Sequence, residues 1–266
     1  LSSIRSYKNG AGGSAGADLA VLSPTYQSGN YWYVGNTVAG ASDANAGTER
    51  AKPLLTSAQA NTNAAAGDTI VYLAGHSEII GTSVVLAHAG LSLVGEGTGA
   101  SVPRFTCSAG IAMFDITGAS ILLDNLYFPA STSVPTARVR VGGASVQLNA
   151  LQFDCGSSDT NRALSFVTGA AQATLRNSRF TSVGAGAAVG IEIINATADI
   201  SMDMVTLDGG SFGWSDYAIK GTAAATRMRW KRIYQLNGSH ILLPTGSTGT
   251  VNVISATGDS RCDWTP

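Results

Sequence analysis

Two pairs of carboxylates are the groups in this chain best placed to break a covalent bond. Hydrolysis of a glycosidic bond takes two acidic side chains flanking it, roughly 5–9 Å apart, one to protonate the leaving oxygen and one to attack or to activate water. Asp154 with Asp159 and Asp203 with Asp208 are the pairs to consider for that chemistry. Other chemistries find less support. His76, His88 and His240 are too scattered for a metal site. Cys107, Cys155 and Cys262 have no CxxC spacing, and an odd number cannot all pair, so they read as small buried apolar residues. The Gly95–Gly99 stretch GEGTG follows a strand-like run but opens no helix and lacks the Lys-Ser/Thr ending of a phosphate loop, so it reads as a turn. Asn195-Ala-Thr197 and Asn237-Gly-Ser239 match glycosylation acceptors, a frequent chance match. No Ser–His–Asp or Cys–His arrangement suggests a nucleophile. No catalytic residue, metal or cofactor is assigned from the sequence.

The elements that must position these residues are strands. Of 266 residues, 32 are Gly, only 12% are charged and 7% aromatic, which suits many short strands separated by tight turns. A net charge of −1 leaves no footprint for a nucleic-acid backbone, and no run of 18 apolar residues is present to span a membrane as a helix. Neither a nucleic acid nor a membrane is expected as a partner.

A repeat sets the fold. Gly118–Phe128 (GASILLDNLYF) aligns without a gap on Gly143–Phe153 (GASVQLNALQF) at an offset of 25 residues. The pattern recurs at Leu175–Phe180, Met202–Leu207 and Trp230–Tyr234, with offsets of 27, 27 and 28. A second column of short strands precedes each unit: Met113–Ile116, Arg138–Val141, Ala163–Val167, Gly190–Ile194, Tyr217–Lys220 and His240–Leu243. Two or three strands per turn of this length make one rung of a right-handed, single-stranded parallel β-helix, in which each rung buries its face only against its neighbours. Leu123, Leu148, Leu175 and Met202 should then stack as one buried ladder, and Phe128, Phe153 and Phe180 as another.

Stacked rungs bring distant positions within about 5 Å, so sites should show as columns. One reads Asp124, Asn149, Arg176, Asp203, Lys231, and another Asp115, Arg140, Ser165, Glu192, Lys220. Mixed signs in vertical neighbours are what an exposed parallel face needs in order to avoid like-charge ladders, each exposed pair contributing about 0–1 kcal/mol.

The organisation expected is an N-terminal arm, 1–30, and a β-helix domain, 31–266, with its opening segment and cap at 31–67 and rungs from about 68 to 256. Between Pro53 and Ala66 a short helix should cover the open apolar end of the solenoid before the first strand, Thr69–Leu73. The run Tyr31–Gly35, Ser42–Gly47, Lys52-Pro53, Ala66–Tyr72, then Gly75 and Glu78, resembles the opening segment of pectate-lyase-like β-helix proteins, a segment common in bacteriophage virion proteins and in secreted carbohydrate-active proteins. A lyase of that family would need acidic calcium ligands clustered beside a catalytic Arg or Lys. Arg140, Arg162 and Arg176 are present, but no three carboxylates fall together on adjacent rungs of the alignment.

The resemblance implies a structural component of a phage virion, foremost a capsid decoration or cement protein. The alternative is a tail spike or fibre component that binds or degrades host surface polysaccharide. It implies a homotrimer, with other virion proteins such as the major capsid protein as partners and a surface polysaccharide as a further one. The chain ends almost directly after the rungs, where a spike would carry a trimerising module, which tilts the expectation toward decoration. The stretch Gly10–Gly16 (GAGGSAG) is a flexible tether for Leu1–Lys8, whose Arg5, Tyr7 and Lys8 are the candidate docking residues on another subunit.

Overall fold

The computed structural model describes residues 29–131, 133, 135–156, 162–185, 187, 189–194, 199–222, 228–237, 239–242, 249–255 and 263–265. The chain is a parallel β-helix whose strands form three faces. On the first face lie Tyr31–Val34, Thr69–Tyr72, Ser92–Gly95, Leu122–Asp124, Gln147–Asn149 and Ala173–Arg176; on the second lie Ser77–Ile80, Arg104–Cys107, Tyr127–Phe128, Gln152–Cys155 and Arg179–Ser182. Three longer strands, Ile200–Asp208, Met228–Leu236 and Gly249–Ser255, run through both, so the two faces join into one 14-stranded sheet. The third face is a separate sheet of 8 strands that includes Ala112–Ile116, Ala137–Val141, Arg162–Phe166, Val189–Ile193, Tyr217–Gly221 and His240–Leu242. Every strand pairing is parallel. Among the described residues, pairing begins at Tyr31–Val34, before the expected first strand, and continues past residue 256 in Asp263–Thr265, which pairs with His240–Leu242.

From the rung of Leu122–Asp124 to that of Met228–Leu236, the corner between the first two faces is turned by one residue in the left-handed region: Asn125, Ala150, Asn177, Met204 and Arg232, with φ between 51 and 55°. Asn tolerates that region and the other three side chains are strained there. The ladder keeps them in place, because the corner N–H donates to a carbonyl one rung on: Asn125 to Asn149, Ala150 to Arg176 and Asn177 to Asp203, each at 3.1 Å. The repeated glycine has a separate cause. A Cβ on Gly143 would lie 1.9 Å from the Gly118 carbonyl oxygen, so the stacked turns approach too closely for any side chain.

Both expected ladders are present and buried. Leu148 pairs in register with Leu123 on one side and Leu175 on the other, and Leu175 pairs with Met202. Phe153 lies between Phe128 and Phe180, with ring centroids 4.7 Å apart and planes 9° apart in both contacts. That separation is the spacing between strands, so like residues in like rotamers stack at the backbone's own repeat. Val139, Leu164, Ile191, Ile219 and Ile241 line the third face from inside.

The N-terminal end is closed by polar latches. Helix α1, Ser57–Asn63, buries Ala60 against the core, and the Thr56 side chain caps it by accepting from the Gln59 N–H. Glu78 occupies the rung position before Phe105 in the aromatic column; its carboxylate accepts from the Ser57 N–H and hydroxyl and lies 3.2 Å from the His76 ring nitrogen. Asp68, almost fully buried, accepts from the Asn30 N–H (2.7 Å), the Ala65 N–H (2.8 Å) and the Trp32 indole (2.9 Å). Asp43 accepts from the Leu55 and Thr56 N–H groups and the Thr56 hydroxyl, each at 2.9 Å. The edge of Tyr31–Val34 is itself covered: the Tyr33 N–H donates to Gly47 and its carbonyl accepts from Leu54. These contacts explain why the opening segment carries Asp43, Asp68 and Glu78 at fixed places.

Candidate functional site

Both charged columns read from the sequence are vertical neighbours on outer faces. Asp124, Asn149, Arg176, Asp203 and Lys231 are in register on the first face, and Asp115, Arg140, Ser165, Glu192 and Lys220 on the third. Their pairing is specific. Arg140 grips Asp115 with two bonds of 2.7 and 2.8 Å, and Asn149 donates to Asp124 at 2.7 Å. Glu192 points outward yet is buried, held by Arg162 at 3.0 and 2.5 Å.

The two carboxylate pairs fare differently from what their spacing suggests. Met204 turns the corner between Asp203 and Asp208, so they stand on adjacent faces. Asp203 is clasped by Arg232, with bonds of 2.7 and 2.6 Å that hold its carboxyl below the usual range; Arg176 and Lys231 add to this through space. Burial pushes the Asp208 carboxyl up, but bonds from Asn237 (2.8 Å), the Gly210 N–H (2.9 Å) and Arg179 (2.8 Å) outweigh it and leave it below the usual range. A general acid needs the opposite shift. Asp154 accepts from the Tyr127 hydroxyl at 2.5 Å, and burial followed by that bond pushes the phenol up to about 12. Asp159 lies outside the described residues, as do the arm residues Arg5, Tyr7 and Lys8.

Burial raises the Asp124 carboxyl, partly offset by Asn149 and the Asn125 N–H, so its column is less solvated than its sequence implies. Among the described residues, no three His, Cys, Asp or Glu side chains converge to hold a metal. Cys107 and Cys155 are buried and are not joined in a disulfide. His76 is fully buried beside Glu78 in the N-terminal latch. Glu96, in the glycine-rich turn, pairs with Arg50.

Sequence reasoning missed Arg232 and Tyr127. Arg232 occupies a corner position, where a column reading looks for turn residues and not for ion-pair partners. Its signal was an Arg in a slot held elsewhere by Asn125 and Asn177. Two shallow hollows lie on these faces. One, of about 370 Å³, is on the first face and is lined by Arg176, Asp203, Arg229 and Lys231 with Thr174 and Ser201; the other, of about 180 Å³, is on the second face beside Tyr127, Asp154 and Arg179.

No protein-family model and no curated protein matches the chain. Among solved structures, a rhamnogalacturonan lyase superposes with a TM-score of 0.52 at 15% identity, over 85% of this chain and 67% of that one. A pectate lyase is also similar, with a TM-score of 0.47 at 13% identity, over 88% of this chain and 78% of that one. At such identities the likeness to the rhamnogalacturonan lyase establishes the architecture, a pectate-lyase-like parallel β-helix, and no activity.

Proposed function

We propose that this chain is a non-enzymatic structural protein of a bacteriophage virion, a decoration or cement protein on the particle surface. The observation that carries the non-enzymatic part is the commitment of the outer carboxylates. On the described rungs Asp115, Asp199, Asp203, Asp208, Asp216 and Glu192 each pair with an Arg or Lys, while Asp124 and Asp154 accept from Asn149 and Tyr127. Apart from Asp216, whose partner Lys220 lies four residues along the same rung, acids so engaged tie neighbouring rungs together, and among the described residues they leave no pair poised to share a proton across a sugar bond. The likeness to the rhamnogalacturonan lyase supports the scaffold alone. The virion part is supported by the resemblance of residues 31–78 to the opening segment of phage β-helix proteins.

The test is incorporation. In a phage that encodes this chain, purified particles should contain it in a fixed, high copy number. Deleting Leu1–Gly16 should leave the β-helix folded, because the closed N-terminal latch begins at Asn30, while removing the protein from particles. Particles that lack the wild-type chain overturn the reading, and normal incorporation of the deletion removes the arm from it.

A further inference from the structure

The first-face hollow differs from the rest of the outer surface in its charge accounting. Around the rungs, Arg140, Arg162, Arg179, Lys220, Arg229 and Arg232 each hold a carboxylate. Arg104 bonds the Ala100 carbonyl and lies over the Tyr127 ring. Arg176 and Lys231 are the rung cations that make no ion pair or side-chain hydrogen bond among the described residues, and both line this one hollow. They stand one rung to either side of Asp203, whose carboxylate is already occupied by Arg232. Their backbones are therefore two strand spacings, about 9.6 Å, apart, a gap that two long side chains can close over a single anion.

The remaining lining is rich in donors. Arg229 reaches Asp199 through Nη2 alone and also lines the hollow. Thr174 adds a hydroxyl and Gln172 an amide whose oxygen accepts from Ser145, while the Ser201 hydroxyl donates to the Arg229 carbonyl and keeps its oxygen as an acceptor. A carboxylate brings one charge and two oxygens to such a site. A phosphate monoester brings three acceptor oxygens and a charge of about −1.5 to −2, which matches two unpaired cations and several donors. The uncharged donors beside them suit the hydroxyls of a sugar.

We propose that this hollow binds a phosphate monoester carried on a sugar, as found on phosphorylated surface glycans. Binding without cleavage is what the site offers, since its one carboxylate is tied up by Arg232. The inference concerns ligand chemistry and is independent of where the protein assembles, so its test uses the isolated full chain.

Calorimetric titration with glucose 1-phosphate, inorganic phosphate and glucuronate separates the sources. Glucose 1-phosphate should bind, more weakly as salt is raised, and at least about threefold more tightly than inorganic phosphate or glucuronate, a gap of roughly 0.7 kcal/mol. R176Q with K231Q should weaken it at least about tenfold while the far-ultraviolet spectrum and thermal midpoint stay those of the wild type. K52Q, a change at an exposed cation of the opening segment that does not line the hollow, should leave binding unaltered. No binding by the folded wild type, equal binding by the double variant, or glucuronate binding as tight as the sugar phosphate would each overturn the proposal. Inorganic phosphate binding as tightly as glucose 1-phosphate would overturn its glycan part.

Discussion

Leu148 and Asn149 are consecutive residues on one strand, and the columns they belong to rest on different physics. Leu148 sits in a stack of apolar side chains in which each member lies in register with its like one rung away, inside one shared core, so the contact repeats with the backbone. Asn149 sits in a stack whose members differ in charge and size and are joined by chosen hydrogen bonds, such as the one from its amide to Asp124. Inside, identity is dictated by volume and by exclusion of water. Outside, it is dictated by the sign of the neighbour, and the same strand geometry accepts many solutions. The inner columns therefore hold the fold's information, and the outer columns hold whatever the protein does.

The contrast breaks first at the inner column. Replacing Leu148 by Asp buries an unpaired charge at a cost of several kcal/mol, and with rungs on both sides depending on it the chain should fail to fold in soluble form. Recovery of soluble protein with wild-type circular dichroism would show that the ladder is dispensable.

A middle-sized effect comes from acid. The carboxyls of Asp68, Asp203 and Asp208 are held below their ordinary range in the folded chain. At Asp68 burial acts in the opposite direction and is outweighed by the bonds from Trp32, Ala65 and Asn30. Groups with a depressed folded pKa stabilise above the unfolded value, about 3.9, and that stability is lost as pH falls through the folded values. Asp124 has the opposite sign: its raised carboxyl costs stability when ionised and relieves it on protonation. With three groups against one, the urea midpoint should fall between pH 5 and pH 3 by an amount that Asp68→Asn reduces, and a midpoint that holds or rises would refute the latch assignment.

The smallest effect is expected outside. Asp124→Asn keeps an oxygen for the Asn149 amide and removes a carboxylate that burial disfavours, so it should change stability by less than about 1 kcal/mol. A loss above 2 kcal/mol in denaturant titration would erase the distinction between the two columns.

Much of the interior was legible because a solenoid writes its register into the sequence. Two glycines 25 residues apart fixed which Leu lies over which Leu, and the third-face strands fell within about a residue of their expected bounds. The corner residues were not legible. Ala150, Met204 and Arg232 have no preference for positive φ and take it because the ladder on either side leaves no alternative, a tertiary effect no local pattern carries. The same blindness hid the clasp of Arg232 on Asp203, since reading columns pairs Asp203 with Arg176 and Lys231 and so misplaces the partner by one residue. Asp203 and Asp208 looked like neighbours along the chain, and the corner at Met204 sets them on different faces.

The central claim, that the outer acids of this β-helix join rungs and do not cleave glycans, is tested most directly by incubating the purified chain with a panel of acidic and neutral bacterial polysaccharides. The readout is new reducing ends, unsaturated products and chain length. The account predicts no change in any of them over the background of a heat-denatured control. Depolymerisation that disappears in Asp203→Asn or Asp208→Asn while the fold stays intact would contradict it.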